Sequence, residues 1–317
     1  MQFRQSILFI FAPLAISCSK KIEAKDPTDL SISVNNQRSQ VQDTLYFNLQ
    51  DTVKFIMSGN VDNIVFYSGE VGHQYKFANR TSVSGVSPLL SFSSATNTSV
   101  QANTLKVLVT NKVNVQDSAS IVGADWTDIT SRVQLASTAT AVNSGVANLS
   151  DIASGTNDSL FVAFKYSGTT GTLQRNWTIT NLIINSLLPE GNTSSLLTLA
   201  SAVNYWKILG NIGTPASSKW SASTTQLQIT GGTVTTPNNT AWIVSPPLYV
   251  GTVYPDKPVI VKYASSALPA YTISGITYYG YNQVYAAPGL YKATFVYFNK
   301  SIDDQKTAVK EYYIRVI

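Results

Sequence analysis

The 317-residue sequence has one cysteine, Cys18, one histidine, His73, and two methionines. A lone cysteine leaves no intrachain disulfide, and a lone histidine argues against a multi-histidine metal centre, which needs three or four converging ligands. Charged side chains make up 12% of the chain, against about 25% in ordinary soluble domains. The formal charge of +5 is a thin surplus, with no Lys/Arg cluster of the kind a phosphate backbone demands, so nucleic acid is not an expected partner. Helical periodicity is nearly absent. The apolar run at residues 7–16, broken only by Pro13, is about half the ~20 residues needed to cross a membrane.

What is present is tyrosine, 17 in all, with abundant Ser, Thr and Asn and recurrent period-2 alternation between Gly, Asn and Asp turns. These features predict an all-β chain. After removal of a leader about 300 residues remain, more than one core usually serves, so two domains are expected.

Arg4 before the 7–16 run, followed by Ala15, Ile16, Ser17 and Cys18, is the layout of a signal peptide over residues 1–17. The small residues before Cys18 resemble a bacterial lipobox, with Ala15 where Leu is usual. That resemblance implies lipidation of Cys18, which becomes the mature N-terminus. Acyl chains contribute about 0.8 kcal/mol per buried CH₂, so two or three hold a protein firmly. An ordinary cleaved signal with an incidental cysteine is the alternative. Residues 18–26, charged and without apolar periodicity, read as a flexible tether.

Residues 51–58 (DTVKFIMS) alternate Val53, Phe55 and Met57 against polar neighbours, and residues 64–67 (IVFY) form a strand closed by Ser68, Gly69 and Glu70. At the other end, a turn at 287–289 (APG) leads into strands at 290–298 and 308–317. The two stretches resemble the halves of a sandwich of the polycystic-kidney-disease (PKD)/Ig-like type, separated here by an insertion. Two sandwiches in series is the alternative. The intervening strands, at 87–93, 104–110, 158–166 and 176–184, with DWTDIT at 125–130 and AWIVSPPL at 241–248, resemble galactose-binding-like, adhesin-type jelly rolls, circularly permuted. The expected fold is thus all-β: a PKD/Ig-like β-sandwich (27–86 and 256–317) with an inserted galactose-binding-like jelly-roll domain (87–255).

The chain as a whole, through SGNVDNIVFYSGEVGHQYKFANR and PGLYKATFVYFNKSIDDQKTAVKEYYIRV, resembles a family of Bacteroidota surface lipoproteins associated with starch-utilisation-type glycan uptake systems. No reaction is attached to that family. The resemblance implies a surface-exposed, lipid-anchored outer-membrane protein that binds polysaccharide or oligosaccharide beside uptake-complex proteins and touches the membrane only through its anchor.

No catalytic residues are expected. His73 sits in a turn, no G-x-S-x-G elbow occurs, and the scarce acids lie at strand ends where Asp caps its own loop. Asp125, Asp128 and Asp151 are candidate ligands for a structural Ca²⁺, with solvent-exposed turn acids the alternative. Glycan binding needs an exposed flat ring beside polar groups. Trp206 and Trp220, in a Gly/Ser/Asn-rich stretch, are the first candidates, with Asn204 and Asn211 as polar partners; burial at the ends of the sandwich is the alternative. Trp126, Trp177 and Trp242 read as core. A tyrosine-rich segment at 277–285, with Tyr278, Tyr279 and Tyr281, is the second candidate, for a glycan or a protein partner. Two other roles stay open: a structural or adhesive protein gripping a protein partner, and a glycoside hydrolase acting through paired acids.

Overall fold

The computed structural model describes residues 21–27, 30–59, 61–155, 158–210, 219–262, 270–273 and 276–317, without the side chains from 263 to 279. Residues 1–17 and Cys18 therefore lie outside the described residues. The chain is nearly all β, 47% strand and 6% helix. It divides into two units: the residues up to Ala78 with Asp256–Ile317, and Asn79–Pro255. The second unit thus begins at Asn79, ahead of the 86–87 boundary read from sequence. The reason is backbone pairing: Ser82 bridges Thr252, Val83 N donates to Gly251 O at 2.9 Å, and Val253 N donates to Thr81 O at 3.1 Å.

The first unit has two sheets. One runs Ser31–Val34, Thr52–Ser58, Ile276–Val284, Ala270–Ile273; the other runs Val259–Lys262, Asn63–Tyr67, Gly289–Lys300, Gln305–Val316, Thr44–Phe47, Ser39–Val41. Every pairing is antiparallel except that of Gln305–Val316 with Thr44–Phe47. This is an immunoglobulin-type sandwich. The second unit's sequence occupies the connection between Asn63–Tyr67 and Val259–Lys262, which are hydrogen-bonded neighbours. Alternation sets the core. Val53, Phe55 and Met57 are fully buried, and the rings of Phe55, Phe66 and Phe295 meet at centroid distances of 4.7–5.4 Å.

Two short motifs close this unit. Gly69 has φ +85°, and a Cβ there would lie 2.7 Å from the backbone nitrogen of Lys292, so only glycine fits. Its neighbour Ser68 is buried and its carbonyl accepts from the Tyr285 hydroxyl at 3.0 Å; Glu70 accepts from Gln283 Nε2 at 3.0 Å. At the second motif the Tyr291 hydroxyl donates to Ala287 O at 2.7 Å, a tyrosine corner. Its ring stacks on Tyr285 at 4.3 Å.

Residues 22–26 are not a free tether. Ile22 N and Ala24 N donate to Asp303 Oδ2 and Asp304 Oδ2 at 3.0 and 3.2 Å, Asn299 Nδ2 donates to Lys25 O at 3.2 Å, and Lys306 pairs with Asp26 at 3.5 Å. Ala24 is buried. The segment read as a solvated tether is held mainly through its backbone, whose donors go to the acids of the 301–304 turn, with Asp26 its one paired charge among the described residues.

The second unit is also a sandwich, and its longest strands nest. Ser87–Thr96 pairs with Trp177–Leu187 in a seven-stranded sheet, while Leu105–Thr110 pairs with Ser159–Gly168 in a six-stranded one. Gln226–Ile229 then joins the first sheet beside Trp177–Leu187, and Asn239–Val244 joins the second beside Ser159–Gly168. Rings from the two sheets meet in the core, Phe92 on Phe164 edge-on at 5.3 Å. One end is closed by buried Gln174, whose Oε1 accepts from Gly232 N at 3.0 Å and Asn239 Nδ2 at 2.8 Å.

Candidate functional site

The six-stranded sheet of the second unit is apolar on both faces. Val107, Val109, Leu160, Val162, Phe164, Ala241 and Ile243 face the main core. Leu108, Phe161, Ala163, Trp242 and Val244 belong instead to a second, smaller cluster on the outer face. Residues 111–126 cover that cluster with Val113, Val115, Ile121 and Trp126. The cover is ordered by a short helix, Ser118–Gly123, whose N-cap Asp117 accepts from Ala119 N and Ser120 N at 3.0 and 3.1 Å. Trp126 is pinned at the edge of the cover: its Nε1 donates to Ile121 O at 2.7 Å, and its ring packs on Trp242 at 5.8 Å and 41°.

Two open depressions flank this cover. The larger, about 980 Å³, lies among Asn111, Lys112, Asn114, Asp125, Asp151 and Phe161. The smaller, about 530 Å³, is lined by Lys106, Trp126, Asp128, Lys165, Thr240 and Trp242. They share Ala124 and Asp125. In the smaller one the Lys165 ammonium stands 4.8 Å from the Trp242 ring centroid, a cation–π contact. Lys106 pairs with Asp128 at 2.9 Å. Burial opposes ionisation of Asp128, but hydrogen bonds from Thr130 and Lys106 outweigh it and hold the carboxyl down at about 2. Asp125 is exposed and makes no salt bridge among the described residues. The smaller depression, a groove, is thus lined by a half-buried indole, an ammonium and a carboxylate.

The expected glycan platform is not there. Trp220 is fully buried among Phe164 and its neighbours, with Nε1 donating to Ala241 O at 3.3 Å, and Trp206 is also buried in the main core. Both fill the interior because the Gly/Ser/Asn-rich stretch around them borders short strands, Lys207–Leu209 and Trp220–Ala222, that join the two sheets. Asn204 is exposed, but the ring it was to serve is not; Asn211 lies outside the described residues. The tyrosine-rich segment is a strand, Ile276–Val284, paired along Thr52–Ser58. Tyr281 packs half-buried on Phe66 at 4.7 Å, so it is no exposed platform. The side chains of Tyr278 and Tyr279 lie outside the described residues.

Nor do the three candidate calcium ligands converge. Asp128 is engaged by Lys106 and Thr130, and Asp151 by both guanidinium nitrogens of Arg132 at 2.9 and 2.6 Å. That pairing lowers the Asp151 pKa. Among the described residues no group of three or more His, Cys, Asp or Glu is placed to hold a metal ion. His73 is engaged structurally, Nδ1 lying 2.6 Å from Lys257 O. No described helix is long and apolar enough to cross a membrane.

Sequence reading placed Trp126 and Trp242 in the core. Both are packed, but on the outer face of a sheet, and the signal was available: LKVLVT, LFVAF and AWIV run apolar without alternation, as strands covered on both sides do. The fold is an all-β architecture of two sandwiches. A family model described as a domain of unknown function (DUF5017) matches residues 17–204, more than half the chain, and the chain belongs to that family. The match includes Trp126 and the whole 111–126 cover. No curated protein and no solved structure matches the chain.

Proposed function

We propose that this protein is a lipid-anchored, outer-membrane glycan-capture protein, held at the cell surface through Cys18 and serving a polysaccharide uptake complex without catalysing a reaction. The observation that supports glycan capture is the Trp126 groove. The C–H face of a pyranose ring packs on an exposed indole face, while hydroxyls need donors and acceptors of fixed position. Lys165 supplies donors, Asp125 an acceptor, and the Lys106–Asp128 pair both. Trp126 is positioned in advance by its bond to Ile121 O, so little side-chain entropy is lost on binding. Each contact is weak alone, which suits a protein that passes a chain onward. The anchor reading is supported by the 7–18 stretch of the sequence.

The test is affinity electrophoresis of the chain from Ile22 onward in gels containing plant, fungal or host polysaccharides. One class of polysaccharide retards the native protein and leaves Trp126→Ala unretarded. Retardation unchanged in Trp126→Ala would remove the groove from the account, and no retardation by any polysaccharide would remove the glycan.

A further inference from the structure

The turn at 301–304, between Gly289–Lys300 and Gln305–Val316, binds the segment that follows Cys18. Ile22 and Ala24 are tied to Asp303 and Asp304, and Lys25 to Asn299. At the tip of the same turn Ile302 is 89% exposed, and Ile22 beside it is 58% exposed. Ile22 lies four positions after Cys18, a reach of at most roughly 14 Å at about 3.5 Å per residue. A lipid on Cys18 therefore keeps this end of the first unit within that distance of the bilayer surface. The opposite end is distant: the 12 residues of Gly289–Lys300 span roughly 40 Å at about 3.3 Å each. Register shows which end carries the inserted sequence. Asn63 lies opposite Phe298 and Tyr67 opposite Thr294, so the chain leaves Asn63–Tyr67 heading away from the 301–304 turn.

We infer that the 301–304 turn is a membrane-contact surface, with Ile302 and Ile22 entering the lipid headgroup region beside the acylated Cys18. The inference rests on the anchor in the proposed function and adds an orientation: the first unit stands on this turn, with both connections to the inserted sequence leaving it at the far end. The contact is apolar. By sequence the lysines of this end, Lys20, Lys21, Lys25, Lys300 and Lys306, are equalled in number by the acids Glu23, Asp26, Asp62, Asp303 and Asp304, with Asp26 paired to Lys306 and Asp62 accepting from Lys300 N, so there is no surplus of positive charge. Binding at this surface is accordingly insensitive to salt and does not require anionic lipid.

The experiment uses the full lipidated chain in phosphatidylcholine vesicles. An environment-sensitive thiol dye is placed at Ile302→Cys or, as the distant control, at Ala286→Cys, both at exposed positions. An acylated Cys18 has no free thiol, so one dye per chain and co-flotation with the vesicles establish the anchor first. The inference predicts a blue-shifted emission at 302 that brominated acyl chains quench, and neither effect at 286. An anchored protein whose 302 dye reports water, or whose 302 and 286 dyes respond alike, overturns the contact surface and leaves the anchor standing. Dye on Cys18 and loss of flotation overturn the anchor, and the contact surface with it.

Discussion

Asp128 and Gly69 show how single residues hold the two units. Because the Asp128 carboxyl is held below its ordinary range in the fold, its contribution to stability is present at neutral pH and is lost only as pH falls from the ordinary carboxylate range through about 2. A carboxyl-carbon NMR titration gives a midpoint near 2 for Asp128, and Lys106→Ala moves it upward, since the opposing effect of burial remains. Gly69→Ala forces a Cβ into the Lys292 backbone at a positive φ, at a cost of roughly 3 kcal/mol; faster amide exchange along Gly289–Lys300 reports it. Trp220→Ala empties the centre of the second unit and costs about 3–5 kcal/mol in urea unfolding followed by tryptophan fluorescence. All five tryptophans lie in that unit, so the signal reports it alone. Trp126→Ala costs much less, because that ring is only half-buried. At this scale the sequence was a partial guide. The Ser68–Gly69–Glu70 turn could be read as a turn, but its reason, the approach of Lys292, depends on a strand more than 200 residues away.

Elements were legible where one face is wet and the other dry. Thr52–Ser58 alternates without exception, and its inward residues were identified from sequence alone. Alternation fails in Leu105–Thr110, Ser159–Gly168 and Asn239–Val244 because the 111–126 cover buries their outer faces, so outward residues such as Trp242 look the same as inward ones. The segment at 22–26 was misread for a related reason: its partners are hydrogen-bonding groups on a distant turn, and composition carries no trace of them. Those bonds make a prediction of their own. Asp304→Ala removes the acceptor of Ala24 N and speeds exchange of that amide by about tenfold, as expected for one hydrogen bond of about 1.4 kcal/mol, while leaving Thr52–Ser58 unchanged.

The whole molecule is an insertion of one sandwich into a connection of another, and the matching character of its two ends made that arrangement readable. The junction at 78–79 was not readable, since it is set by pairing of residues 81–83 with 251–253. The candidate ring for the proposed glycan site is Trp126 rather than Trp206 or Trp220, because those two are buried in the main core. Composition identified rings in quantity, but only the packing of the six-stranded sheet shows which of them borders solvent. The central claim is that the Trp126 groove captures a glycan. Affinity electrophoresis of the native protein, Trp126→Ala and Asp125→Asn against one polysaccharide panel tests it most directly. The account predicts retardation of the native protein by one class of polysaccharide, weaker retardation of Asp125→Asn and none of Trp126→Ala, with all three folded by circular dichroism. Equal retardation of native and Trp126→Ala proteins, or no retardation by any polysaccharide, would contradict it.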